Sequence, residues 1–403
     1  MTKSKRIALV SAFPPGKQSL NEYGLHLAKG LATRPDVAEV IVIADRLSGN
    51  LAELDLGPRI RVERVWTTNS ATAGFSILRA LRRAAPDGAI WNLKTESFGN
   101  RKLVSAFGML APAIARAMGI PSGIIAHDIV AGINPVASQL GGQRLRSALA
   151  RISGEVVTRA MLSASYMTVM ARGYRGHLNA RYRGADVHLI PHGTFDTTAC
   201  RIIPLDQRPM RIVTMGKFGT HRRLETLLEA FDQLRQDPRL SNLELVIGGT
   251  DHPSAPGYLA SLADARKRDA GVVFAGYVAE DDIPAFFGEA RLSAFDHAAN
   301  AGIPGALQRT ASYGTVPVFP RIGDFVDICR DEGFAGCHYL PGDAHDMAQA
   351  MFEMLDNPDA AQAIADSNHA ASLSMPFSDV IAFHLDKLAL PDRRPRHAAP
   401  ATA

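Results

Sequence analysis

Short runs rich in Val and Ile alternate with amphipathic stretches along this chain, and the alternation runs through twice. In the first half IALVSAF, VIVIA, AIWNL, GIIAH and YMTVMA read as buried strands, with helical patterns such as LNEYGLHLAKGLA and LVSAFGMLAPAIARAM between them. Strands separated by helices build βαβ units around a parallel sheet. After the polar, proline-bearing stretch RIIPLDQRP the pattern restarts with RIVTMG, LELVIGG, GVVFAG, RLSAF and VPVF, and helices are expected at 222–236, 257–269, 281–289 and 305–313. A chain of 403 residues exceeds one ordinary core of about 150 residues. The expected fold is therefore α/β, with two Rossmann-like domains facing each other across a cleft and C-terminal helices packing back on the first. The boundaries implied are 1–205, 206–375, a crossover helix at 376–390, and a tail at 391–403 with no apolar period, expected to be disordered.

Hydrophobic residues make up 46% and charged residues 21%, the balance of a globular protein. The formal net charge is +4. That mild excess, spread along the chain, suits phosphates or an anionic membrane surface better than nucleic acid. Arginines at 144, 146, 151 and 159 lie in one helical stretch, three of them on roughly one face, a pattern that can meet anionic lipid or simply face water. Cys200, Cys329 and Cys337 form neither a metal-ligand spacing nor an even disulfide framework, so inert packing residues in a reducing compartment are expected. No stretch reaches the ~18–20 consecutive apolar residues of a spanning helix. The apolar run from Ile7 to Phe13 stops at Pro14-Pro15 and reads as a first strand, not a signal sequence. A cytoplasmic protein is expected, with peripheral contact at the inner face of the membrane as a further option.

Two places carry chemistry. Gly216 ends a strand, and Lys217 follows in the loop where open α/β sheets bind ligands. Arg222 is expected in the first turn of the next helix, where a cation opposes the helix dipole unless an anion is shared. The second place is Gly302-Ile303-Pro304-Gly305-Ala306, a glycine-bearing turn ahead of a helix whose first N–H groups favour phosphate. His127-Asp128 closes the strand GIIAHD at its carboxyl end, and His192-Gly193 follows another strand in LIPHGTFD. No HExxH, CxxC or acidic cluster supports a metal. The first turn, FPPGKQSLNEY, lacks GxGxxG, which argues against a nicotinamide or flavin cofactor.

Together these elements resemble the large retaining glycosyltransferase family numbered four, with its two-Rossmann-domain type B fold, over about Lys5 to Leu388. FPPGKQSLNEYGLHLAKGL is similar to the family's opening loop and first helix. GIIAHD resembles its acceptor-side histidine strand, and LIPHGTFD its I-P-N-G-V-D element. GKFGTHRRLETLLEAF resembles G-R-L-x-x-x-K-G-x-x-x-L-L-x-A-F, with Lys217 at the arginine position and Arg222 at the lysine position. AGIPGALQRTASYGTVPV resembles E-G-F-G-L-P-L-L-E-A-M-A-x-G-T-P-V, but the two glutamate positions read Ala301 and Arg309.

The resemblance implies a hexose moving from a UDP- or GDP-linked sugar to a saccharide, lipid-linked in bacterial surface or extracellular polysaccharide synthesis. It implies no resident cofactor and no metal. Gly216, Lys217, Arg222, the 302–306 turn and Arg309 would hold the donor; Lys17, Gln18, Ser19 and His127 would face the acceptor. Lys217, Arg222 and His127 would carry catalysis, with Asp296 and His297 just upstream as candidates for the missing acid. Three alternatives stay open: a non-catalytic binding or scaffold protein, motivated by Ala301 and Arg309; a nucleotide-sugar epimerase of the same fold; and, more distantly, an oxidoreductase.

Overall fold

The computed structural model describes residues 4–16, 18–47, 49, 51–99, 102–129, 144–195, 202–297 and 305–389. The first unit runs β1 (Lys5–Val10), α1 (Asn21–Thr33), β2 (Val37–Asp45), β3 (Ile60–Trp66), α2 (Ala73–Ala84) and β4 (Gly88–Leu93). It continues α3 (Lys102–Met109), α4 (Ala111–Ala117), β5 (Ser122–Ala126), α5 (Arg144–Leu162), β6 (Tyr166–Val169), α6 (Arg172–Arg181) and β7 (Val187–Leu189). Among the described residues these strands form one parallel sheet in the order β3-β2-β1-β4-β5-β6-β7. The order reverses at β1 and β4, and ligands of doubly wound sheets sit outside the strand ends at that switch.

Alternation along each strand divides the core in two. Ile7, Leu9, Val40, Val42 and Ile90 point to α1, whereas Ala8, Val10, Ile41, Ile43 and Trp91 pack against α2, α4 and α5. Continuous apolar strands of this kind are those of a sheet covered on both faces.

The second unit runs β8 (Arg211–Phe218), α7 (Glu225–Leu234), β9 (Glu244–Asp251), α8 (Tyr258–Ala265), β10 (Val272–Gly276), α9 (Ile283–Gly288) and β11 (Leu292–Ala294). Then come α10 (Gly305–Ser312), β12 (Val316–Pro320), α11 (Gly323–Glu332), β13 (Cys337–Tyr339), α12 (Ala344–Asp356) and α13 (Pro358–Leu373). Its sheet is parallel in the order β10-β9-β8-β11-β12-β13. The last helix, α14 (Phe377–Ala389), returns to the first unit: Phe377, Val380, Ile381, Leu385 and Leu388 pack with Ile7, Leu9 and Leu27.

The chain thus crosses between the units twice, and the crossings are paired. Thr194 N–H donates to Met375 O at 2.8 Å and Phe377 N–H donates to Thr194 O at 3.0 Å. The incoming segment is pinned by Arg208, whose guanidinium donates to Ala290 O at 2.7 Å and Tyr313 O at 3.0 Å. Cys329 and Cys337 are free thiols, raised to about 12 and about 11 by burial, so both are unreactive packing groups; Cys200 lies outside the described residues.

Candidate active site

A cavity of about 310 Å³ lies between the two sheets at their strand ends. Gln18, Ser19, Tyr23, Lys94, His127 and His192 line it from the first unit; Gly216, Lys217, Arg222, Gly305, Ala306 and Arg309 line it from the second. Gly302, Ile303, Pro304, Ala301 and Lys17 lie outside the described residues.

Lys217 sits at the end of β8. Burial pulls its ammonium down to about 8, and the charge of Lys94 across the cleft adds to the effect. Arg222 is drawn down to about 10 by burial. Its address differs from the sequence expectation. Helix α7 opens at Glu225, so Arg222 stands in the preceding loop. That loop is closed on itself by Gly219 N–H donating to Arg222 O at 2.8 Å, and is tied to the segment after β11 by a bridge between Arg222 and His297 and by Arg223 N–H donating to Asp296 O at 3.3 Å. The helix is shortened because its N-terminal acceptor comes from elsewhere: Asp296 Oδ2 accepts from Leu227 N–H at 3.2 Å. Burial pushes Asp296 up to about 6. The carboxylate is committed to α7, and neither it nor His297 lines the cavity.

Two glycines make room for this arrangement. A Cβ at 216 would lie 2.6 Å from Arg222 Nη1. Gly249 has φ +139°, and a Cβ there would lie 1.9 Å from Gly216 O. Strands β8 and β9 therefore meet backbone to backbone under the two cations.

On the opposite wall His127 is buried, with Nε2 2.7 Å from Asn92 Oδ1. Asn92 Nδ2 donates to Ser11 Oγ at 2.9 Å, which leaves Oδ1 as the acceptor and assigns the His127 proton to Nε2. Burial, with the charge of Lys94 adding to it, holds the ring well below its ordinary pKa, so it is neutral and Nδ1 is its acceptor. Tyr23 stands edge-on to both His127 and His192 at 4.7 and 4.8 Å, and its hydroxyl donates to His192 O at 3.1 Å. His192, lowered to about 4 by burial, is likewise neutral. Asp128 accepts from Thr95 N–H at 2.7 Å and from the Thr95 hydroxyl at 2.8 Å, fixing the loop that carries Lys94.

Arg309, besides lining the cavity, is engaged by its neighbours. Its guanidinium lies 4.6 Å over the Phe195 ring and pairs with Glu280, which is also 2.7 Å from His26 Nε2 on α1. His26 in turn stacks on Phe195 at 3.9 Å. Nearby, the Tyr277 hydroxyl donates to Glu22 at 2.8 Å. These contacts clasp the two units across the cleft. Tyr23, Asn92, Lys94, Phe195 and Glu280 did not emerge from the sequence. Lys94 carried the one usable signal, since it directly follows a buried strand. Among the described residues no group of three His, Cys, Asp or Glu side chains is placed to hold a metal ion.

Residues 209–357 match the model of the family described as glycosyl transferases group 1. The second unit is a glycosyltransferase group 1 domain. No curated protein matches the sequence. Among solved structures, the chain superposes on a sucrose-phosphate synthase from Thermosynechococcus elongatus with a TM-score of 0.71 at 17% identity, covering 95% of this chain and 98% of that one. Anabaena Alr3699/HepE in complex with UDP-glucose gives 0.65 at 17%, covering 95% and 99%. WaaG, a glycosyltransferase involved in lipopolysaccharide biosynthesis, gives 0.67 at 13%, covering 96% and 100%. At these identities the superpositions show the glycosyltransferase type B fold of the whole chain. The family match over residues 209–357 supports a glycosyltransferase. No helix among the described residues is long and apolar enough to cross a membrane.

Proposed function

We propose that the glycosyltransferase is a retaining hexosyltransferase that uses a UDP- or GDP-linked sugar and a saccharide acceptor, lipid-linked in bacterial surface polysaccharide synthesis. One observation carries the reading. Lys217 and Arg222 line the same cavity as the first residues of α10 on one wall and His127 on the other. Two half-buried cations and a helix N-terminus suit a diphosphate, and they stabilise it more as negative charge builds on the departing phosphate. Neutral His127 does not accept a proton as a base; its Nδ1 takes a hydrogen bond from a sugar hydroxyl and so orients it. The departing phosphate oxygen, on the same face as the incoming hydroxyl, takes that hydroxyl's proton, and the anomeric configuration is kept. No resident cofactor or metal has a part in these steps. The clasp of His26, Glu280 and Arg309 holds the cleft shut against water. The complexes of HepE with UDP and with UDP-glucose support the UDP member of the pair.

The second reading is a nucleotide-sugar-binding scaffold without turnover, favoured by the pairing of Arg309 with Glu280, which already neutralises that cation beside the cavity. UDP-, GDP- and ADP-sugars offered to the purified protein separate the two. Thermal stabilisation with release of free nucleotide supports the transferase, and Lys217→Ala or Arg222→Ala is expected to slow release about 100-fold or more. Stabilisation without release supports the scaffold. Silence toward every nucleotide sugar overturns both.

A further inference from the structure

The four most exposed large apolar side chains among the described residues share one side of the first unit: Phe75 (71%), Phe107 (62%), Ile152 (61%) and Val156 (55%). They stand on α2, α3 and α5, which pack side by side with α4 over one face of the sheet. The inner sides of these helices are spent on the core, through Ile77, Leu81, Met109, Ala115, Val157 and Met161. The outer sides therefore carry a second apolar set, with Ile114 on α4 and Met118 just after it also exposed. Helices α2 and α3 are in close contact there, since a Cβ on Gly74 would lie 3.3 Å from Phe107 O. An ordinary surface helix shows one apolar stripe, not two.

Charge marks the same four helices. They contain nine Arg and Lys residues and a single acid, Glu155, for a net +8 in a chain whose formal total is +4, so the remainder is net −4. Glu155 is itself neutralised by Arg159 at 3.1 Å and Arg181 at 2.9 Å. Arg79, Arg82 and Arg159 are exposed between the apolar side chains.

We infer that the outer face of α2–α5 seats the protein on an anionic phospholipid bilayer. Phenylalanines enter the headgroup region, and the surrounding arginines meet lipid phosphates. On α2 and α5 exposed arginines follow exposed apolar residues at helical spacing, Arg79 and Arg82 after Phe75 and Arg159 after Val156, which fits a continuous surface of mixed apolar and anionic character better than the compact acidic patch of a protein. This deepens, and rests on, the proposed lipid-linked acceptor. Helices α3 and α5 follow β4 and β5, the strands that end beside Lys94 and His127. The seat and the acceptor wall of the cavity are thus built on the same two strands.

Co-sedimentation of the full chain with phosphatidylcholine vesicles, with and without phosphatidylglycerol, tests the seat. Partitioning is expected to be at least about tenfold stronger on the anionic vesicles and to weaken as salt is raised. Phe75→Asp with Phe107→Asp is expected to lower it about tenfold or more, with the melting temperature and nucleotide-sugar binding in vesicle-free buffer unchanged. Equal partitioning onto neutral and anionic vesicles overturns the inference. So does wild-type partitioning by the folded double variant, or a solution dimer that this variant dissolves. If the double variant does not fold, Arg79→Glu with Arg82→Glu replaces it under the same criteria. Vesicle binding without any nucleotide-sugar binding would leave the seat standing and remove the transferase reading; the reverse result would do the opposite.

Discussion

Gly216 and Arg222 are shaped to each other: Arg222 Nη1 occupies space 2.6 Å from where a Cβ on residue 216 would stand. The missing side chain near the end of β8 thus leaves room for the cation in the loop that follows. Gly216→Ala is expected to displace the guanidinium and raise the donor KM about tenfold or more. The fold should survive, because the long Arg222 side chain can swing aside. Steady-state kinetics with a melting curve on the same sample checks this, and an unchanged KM would show that Arg222 does not hold the donor.

Lys217 titrates near 8 because burial and the charge of Lys94 disfavour its ammonium. Donor binding that needs the charged form is full below that value and is lost as pH rises through it. The donor Kd is expected to climb about tenfold per pH unit above 8 until the bound-state pKa is reached. Lys217→Arg, which keeps its charge, should move this rise beyond pH 9. Titration calorimetry from pH 6.5 to 9.5 distinguishes the two curves; parallel curves would assign the loss to another group.

Glu280 is the anion of the cleft clasp. Burial alone would raise its carboxyl, but the His26 hydrogen bond and the Arg309 charge prevail and hold it near 2 against an ordinary 4.5. The sign follows from that depression: its stabilisation is present above about 4.5 and fades as pH falls toward 2. Glu280→Gln leaves Arg309 without its carboxylate and is expected to cost on the order of 1–3 kcal/mol in urea unfolding at pH 7. The difference from wild type should shrink in acid. Small-angle scattering is expected to show a wider separation of the two units in the variant.

Glu332 behaves in the opposite sense. Burial raises it to about 8 against an ordinary 4.5, although it accepts hydrogen bonds from His192 N–H and Gln308. The folded state keeps a proton that the unfolded chain releases, so stability falls as pH rises from about 4.5 to 8. Glu332→Gln retains an acceptor oxygen without the titration. It is expected to gain on the order of 1–3 kcal/mol at pH 8 and to flatten the profile. Thermal melts at pH 5 and pH 8 decide the matter, and identical slopes would place the ionisation elsewhere.

Local pattern made much of this legible in advance. Val- and Ile-rich runs between amphipathic stretches led to two parallel sheets, and a glycine and a lysine at a strand end led to Gly216 and Lys217 in the cleft. Those signals depend on side-chain period and turn chemistry within a few residues of each other. The register of Arg222 was not legible, because the acceptor that caps α7 is Asp296, 69 residues away from Leu227. Asn92 behind His127, and Glu280 between His26 and Arg309, join positions 35 and 254 residues apart. The sequence by itself determined the two units and the residue types at their strand ends. Only the tertiary structure decided which charges neutralise one another across the cleft, because that pairing depends on where the two chain crossings set one sheet against the other.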